Sequence, residues 1–346
     1  YITSSIIMQL LTMVVPRLEQ LYKEEGEQGR QKFNMWTRMI TVPLAAVQTF
    51  AMISLLRSQN VLVDLSAFDV VIMIVTATAG TIFLMWLGEL ITEKGLGNGV
   101  SVMIFAGIVA SLPTHVSRLF ATFDPSLLFT YLLFIALGLV TVIGVVIVSE
   151  GQRKIPVAYA KRVRGNTAYG GSATHLPLRV NQAGVIPIIF AISLALFPQM
   201  IANFLAQSGN ASIAQFAATI NSLFQNQLFF GMLYFFLVVA FTFFYTAVIF
   251  DPQKISENLQ KQGGYIPGIR PGSATAEYLY RVSSRITLTG ALFLGLIAVL
   301  PIGVQAITGI QALTLGGTSI LIAVSVVIEM VKHIESQMAM RDYDSF

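Results

Sequence analysis

From Val180 to Phe250 the chain runs 71 residues without an aspartate, glutamate, lysine or arginine. Water-soluble domains carry charge on about a quarter of their residues, so no such domain leaves that much chain uncharged. A bilayer core of about 30 Å is crossed by about 20 helical residues, so a run of this length must cross, turn and cross again. The turn belongs at Gln207–Gln227, which is rich in Ser, Asn and Gln. Ile286–Ile328, 43 residues long, repeats the pattern with a turn at Pro301–Gly317. Val70–Gly88 (19 residues) and Pro125–Ser149 (25 residues) are each one span in length.

These runs predict eight complete spans, near 35–56, 69–90, 99–120, 127–149, 182–205, 228–250, 284–302 and 314–335. A short apolar helix at Tyr1–Val15 precedes them; fifteen helical residues rise about 22 Å, less than the hydrocarbon thickness. The chain also opens on Tyr inside an apolar run, which reads as a partial helix with a further segment expected upstream. Composition agrees with a polytopic membrane protein. The 346 residues are 55% apolar and 11% charged, with a mean hydropathy of +0.73. That balance excludes a soluble enzyme of this size, a disordered chain and a disulfide scaffold. The absence of cysteine removes thiolate metal sites, a catalytic thiol and a redox CxxC pair.

Orientation follows from where the basic residues lie. Of 21 Lys and Arg, 17 fall in the alternate loops 17–34, 91–98, 150–181, 251–283 and 331–346. The opposite loops hold only Arg57 and Arg118, and Arg38 and Arg285 stand at span ends. An excess on one face marks the cytoplasmic side, so the C-terminus is predicted to be cytoplasmic. Barrel strands do not produce such apolar runs, and the predicted fold is an all-α helix bundle.

Two of the basic loops are long. Glu150–Asn181 carries Arg153, Lys154, Lys161, Arg162, Arg164 and Arg179, with strand-like pieces in Gln152–Ala160 that predict a projecting hairpin. Asp251–Ser283 carries Lys254, Lys261, Arg270 and Arg281 around a turn-rich Gly263–Gly272. From charge alone they read either as a surface against anionic lipid or as a docking platform for a large partner or RNA. Catalytic chemistry has little to stand on. The three histidines (His115, His175, His333) are far apart, and no GxxxxGK[ST] loop is present. Interior polar groups such as Gln9, Gln48, Thr76, Thr78, Asn181 and Gln182 are neutral, which weighs against an ion-coupled transporter built on buried charges. A secondary transporter of a small solute remains the alternative. A membrane scaffold without a pore would leave the two long basic loops unexplained.

Seven separated stretches appear in order: Tyr1–Leu11, Glu25–Arg30, Gly95–Ser101, Thr174–Asn181, Ala183–Pro187, Pro267–Gly272 and Gly316–Ile322. On these the chain resembles the SecY family, the channel subunits of the bacterial Sec translocon, from Tyr1 to about Phe346. The resemblance implies ten spans in two pseudo-symmetric halves around a pore. Here 1–124 would be the N-terminal half, from the end of the second span to the fifth, and 125–346 the C-terminal half, from the sixth to the tenth. The first span and the plug would lie outside this sequence. It further implies a pore ring at Ile2, Ile6, Ile104, Ile108, Ile189 and Ile322; the first two pairs are spaced i, i+4 and share a helix face. A lateral gate would include Gln48, flanked by helices that Pro43, Pro187 and Pro198 could kink. Docking of SecA or the ribosome would use Lys161, Arg162, Arg164, Arg270 and Tyr343. The implied partners are SecE, SecG, SecA, the ribosome, signal-sequence-bearing preproteins and membrane lipids, in the bacterial cytoplasmic membrane. No enzyme activity, cofactor or metal site is implied.

Overall fold

The computed structural model describes residues 1–23, 26–58, 61–62, 65–95, 97–121, 125, 128–159, 162–164, 167–169, 173–206, 211–308 and 317–344. Helices cover all eight expected spans, and the differences lie at their ends and in the connections.

The chain opens with α1 (Ile2–Val14), which stops where Val15 turns extended; Pro16 starts α2 (Pro16–Lys23). Proline suits a helix start because its missing N–H has no intrahelical partner there. Next comes α3 (Gly26–Ser58), with Pro43 inside it. Met8, Leu21 and Phe33 bind these three helices into one apolar cluster, and the Ser4 hydroxyl donates to the Thr37 carbonyl at 2.7 Å. The Ser66 hydroxyl caps α4 (Ala67–Glu93) by accepting from the Asp69 N–H, while the Asp69 carboxylate accepts from the Ser66 N–H. Arg38 Nε and Glu89 Oε1, 2.6 Å apart, join α3 to α4.

Then come α5 (Gly99–Ala121) and α6 (Leu128–Glu150), followed by four strands: β1 (Gln152–Tyr159), β2 (Arg162–Arg164), β3 (Thr167–Tyr169) and β4 (Ala173–Arg179). After them, α7 (Ile186–Leu205) begins four residues later than the expected 182. Gly184 holds φ +64 and accepts from the Asn181 side chain at 3.1 Å, so the chain is turning there rather than winding. Pro187 consequently sits in the first helical turn, where it kinks nothing, and Pro198 is the interior proline.

The polar connector at 207–227, which reads from sequence as a turn, contains a helix, α8 (Ala211–Gln225). One residue, Asn226, separates it from α9 (Gln227–Ile249) and caps that helix, accepting from the Leu228 and Phe229 N–H groups. The loop expected at 251–283 is largely helical as well. It holds α10 (Pro252–Lys261), strand β5 (Gly264–Tyr265) and the start of α11 (Ser273–Thr308). Asp251 caps α10 and Pro252 is its first residue. The chain ends in α12 (Gly317–Asp344).

Among the described residues, four helical segments are long and apolar enough to cross a membrane: Ala67–Glu93, Tyr131–Glu150, Gln227–Lys261 and Ser273–Ala306. Shorter apolar stretches occupy Ile2–Thr12, Gly99–Thr114 and Ile186–Gln199. Side chains such as Phe83, Leu84, Phe129, Leu132, Met232 and Phe236 are exposed on these helices, as surfaces solvated by lipid require. Two compact units form: Tyr1–Gly107 with Ile192–Phe230 and Glu329–Phe346, and Ile108–Ala191 with Gly231–Ile328.

Candidate functional site

In the second unit the two long basic loops make a single sheet. β1 and β4 pair antiparallel from Gln152↔Arg179 to Ala158↔Ala173, which is the hairpin expected from sequence. β5, from the other loop, joins the free edge of β1 through Ala158↔Tyr265 and Tyr159↔Gly264, giving the order β4-β1-β5. Alternation along the strands turns Ile155, Val157 and Leu178 inward. Ile155 and Leu178 pack with Ile266, Leu279 and Val282, and Phe250, Ile255, Ile269 and Ile286 close around them. Each such side chain removed from water contributes about 1.5–3 kcal/mol, enough to make the platform one solid body.

Arg270 stands on its surface. Gly268 and Gly272, at φ +83 and +100, give the backbone the left-handed turns that a side chain would resist. The Ile269 N–H donates to the Ile266 carbonyl at 3.0 Å, Thr275 Oγ1 to the Arg270 carbonyl at 2.9 Å, and Ser256 Oγ to the Gly272 carbonyl at 2.6 Å. The main chain is thus tied to α10 and α11 while the guanidinium stays exposed, with no ion pair among the described residues. Arg281 differs: it is held by Glu277 on its own helix at 2.8 Å. An exposed guanidinium on an anchored main chain suits bidentate contact with a carboxylate or phosphate.

Two glycines seat the platform on its helices. The Val180 N–H donates to the Gly151 carbonyl at 2.8 Å, closing the hairpin foot. A Cβ on Gly290 of α11 would come within 2.6 Å of the Val180 carbonyl oxygen, so only glycine lets helix and hairpin approach. Sequence reasoning passed over Gly290; its one signal was a Thr-Gly-Ala stretch inside an apolar helix.

In the first unit, Gly95, Gly97 and Asn98 lie between α4 and α5. Gly95 and Gly97 take φ +80 and +92, and the Asn98 side chain accepts from the Val100 and Ser101 N–H groups to start α5. Gln337 of α12 donates to the Gly95 carbonyl at 2.8 Å, and a Cβ on Gly95 would collide with that amide. Tyr343 lies farther along the same helix.

Ile2 and Ile6 lie on α1, Ile104 and Ile108 on α5, Ile189 in the first turn of α7 and Ile322 near the start of α12. Ile6 is buried and the other five are half-buried. Gln48 is exposed in mid-α3, between exposed Val47 and Phe50. Arg162 and Arg164 form β2, paired with β3 as Arg162↔Tyr169 and Arg164↔Thr167, and Lys161 lies outside the described residues. No cluster of His, Asp or Glu among the described residues could hold a metal ion.

A family model described as SecY matches residues 1–331. The chain belongs to the SecY family. The protein translocase subunit SecY of Streptomyces scabiei is 46% identical, covering 100% of this chain and 81% of its own. Those of Mycobacterium bovis and Thermotoga maritima are each 43% identical over 100% of this chain, and over 81% and 78% of theirs. Among solved structures, one described as a protein conducting channel superposes with a TM-score of 0.66 at 18% identity, over 97% of this chain and 80% of that one. The yeast Ssh1 complex bound to the yeast 80S ribosome gives 0.65 at 15% identity, over 96% and 78%. At such identities the likeness is one of fold, the helical polytopic membrane fold of SecY-family channels. Membership favours protein translocation over the small-solute transporter.

Proposed function

We propose that this chain is the protein-conducting subunit of a bacterial translocon. It passes unfolded secretory polypeptides across the cytoplasmic membrane and releases signal and transmembrane segments sideways into the bilayer. Residues 1–124 and 125–346 form the two halves around the pore, with the C-terminus in the cytoplasm. The observation that carries this reading is the sheet β4-β1-β5, which makes one basic platform of two loops distant in sequence and presents Arg270 on it. A motor or ribosome pushing on such a platform acts on a solid body rather than on two tethers. The chain itself does no bond chemistry; SecA or the ribosome supplies the energy, and SecE and SecG complete the complex.

Within the pore, Ile2, Ile6, Ile104, Ile108, Ile189 and Ile322 form a constriction of branched aliphatic side chains. Such a ring offers no partner to a hydrated ion, yet yields around a moving chain. Gln48 contributes a polar group to the lateral gate; a contact of this kind, worth about 0.6 kcal/mol, is weak enough for a signal sequence to displace. Lys161, Arg162, Arg164, Arg270 and Tyr343 dock SecA or the ribosome.

The test is reconstitution of the chain with SecE in vesicles supplied with SecA, ATP and an unfolded preprotein. Protease-protected preprotein inside the vesicles is expected. Uptake of a small solute with no protected preprotein would favour the transporter instead.

A further inference from the structure

Alternation along the hairpin separates its two faces. Gln152, Lys154 and Pro156 of β1 share one face with their cross-strand neighbours Arg179, Pro177 and His175, and all six are exposed. Tyr265 of β5, paired with Ala158, continues that face and is 42% exposed. The face carries Lys154, Arg179 and His175 and no carboxylate, and neither Lys154 nor Arg179 makes an ion pair among the described residues. These two are diagonal neighbours across the ladder, which sets them about 7–8 Å apart.

Their height is as informative as their charge. The helix α6 has 23 residues and so rises about 34 Å, which brings its end at Glu150 into the headgroup layer just beyond a hydrocarbon core of about 30 Å. Arg179 directly precedes Val180, whose N–H closes the hairpin foot on Gly151. Lys154 is four residues past the end of α6, so its long side chain can lean back toward the interface. Arg162 and Arg164 lie eight and ten residues farther along the chain than Lys154, in β2.

The geometry points to a binding site for the phosphate of an anionic phospholipid at the foot of the hairpin, held by Lys154 and Arg179. The platform is thereby divided: its foot holds lipid, while its tip and Arg270 are left for soluble partners. The site rests on the membrane placement of α6 and not on the docking role of Arg270, so the two fail separately.

The test uses the full chain in nanodiscs of phosphatidylcholine containing spin-labelled phosphatidylglycerol, with the immobilised lipid measured against lipid fraction and salt. Removing one charge, as Lys154→Gln or Arg179→Gln, should weaken lipid retention about fivefold, and removing both should compound the loss. The charge-preserving pair Lys154→Arg and Arg179→Lys should retain the lipid, as should Arg270→Gln. Because the altered side chains are exposed, the hairpin of every variant should resist trypsin as the parent does. Unchanged lipid retention in the double Gln variant would overturn the site. So would a double variant that keeps its lipid but loses SecA-driven transport, since the face would then belong to a macromolecule.

Discussion

The Gln337 side-chain amide donates to the Gly95 carbonyl at 2.8 Å, so the last helix of the chain is tied to the turn between α4 and α5. The turn is shaped for this contact, with Gly95 at φ +80 and no room for a Cβ beside the Gln337 amide. Gly95→Ala should therefore cost about 1–2 kcal/mol from the left-handed backbone alone, and more from displacing Gln337. Gln337→Ala should cost about 1 kcal/mol. Both effects run through one contact, so the double variant should lose less than their sum in thermal unfolding. Strict additivity would mean that the contact contributes nothing.

The platform core gives a second prediction. Ile155 is 1% exposed and packs with Leu279, which is 0% exposed, so Ile155→Ala should destabilise the platform by about 2–5 kcal/mol. Because Ile155 of β1 shares that core with Ile266 and Leu279 of the other loop, trypsin should gain access to 150–181 and 251–283 together. Cleavage confined to 150–181 would show that the loops are independent.

Gly290 provides the third. A side chain there meets the Val180 carbonyl, so Gly290→Val should push the hairpin foot off α11 and lower the unfolding temperature more than Gly303→Val. Apart from its own stretch of helix, no atom of the described residues lies within 4 Å of a Cβ at Gly303, which makes it the matched control within the same helix. Equal effects would remove the seating role of Gly290.

The ring is tested electrically. Replacing Ile104, Ile189 and Ile322 with Asn should raise the ion conductance of the idle channel, because amide side chains give hydrated ions the partners that isoleucine withholds. An unaltered conductance would reduce these residues to ordinary helix packing.

The sequence announced the spans through its uncharged runs, because a chain in lipid must satisfy every backbone polar group internally and a helix does so within one segment. The hairpin was legible too, since period-two alternation at Ile155 and Val157 is local. Other features were hidden for physical reasons. Nothing in the Ser, Asn and Gln content of 207–227 distinguishes a turn from α8, whose apolar positions Ala214, Ala217 and Ile220 follow a helical period within a polar segment. The start of α10 did carry a signal, the Asp251-Pro252 pair of a capping residue followed by proline at the first helical position. The pairing of Ala158 with Tyr265 and the contact of Gln337 with Gly95 are long-range, and no local propensity encodes them.

The most direct test of the docking and conduction account is SecA-driven import of an unfolded preprotein by vesicles carrying Arg270→Glu, at matched channel density and with Arg270→Lys beside it. Arg270 is held by its backbone and exposed at its head, so reversing its charge should leave the platform folded, and trypsin resistance checks this. The account predicts import lowered about tenfold or more by Glu, as expected when a charge-assisted contact is lost and replaced by repulsion, with partial recovery by Lys. Import by Arg270→Glu equal to that of the parent would contradict it.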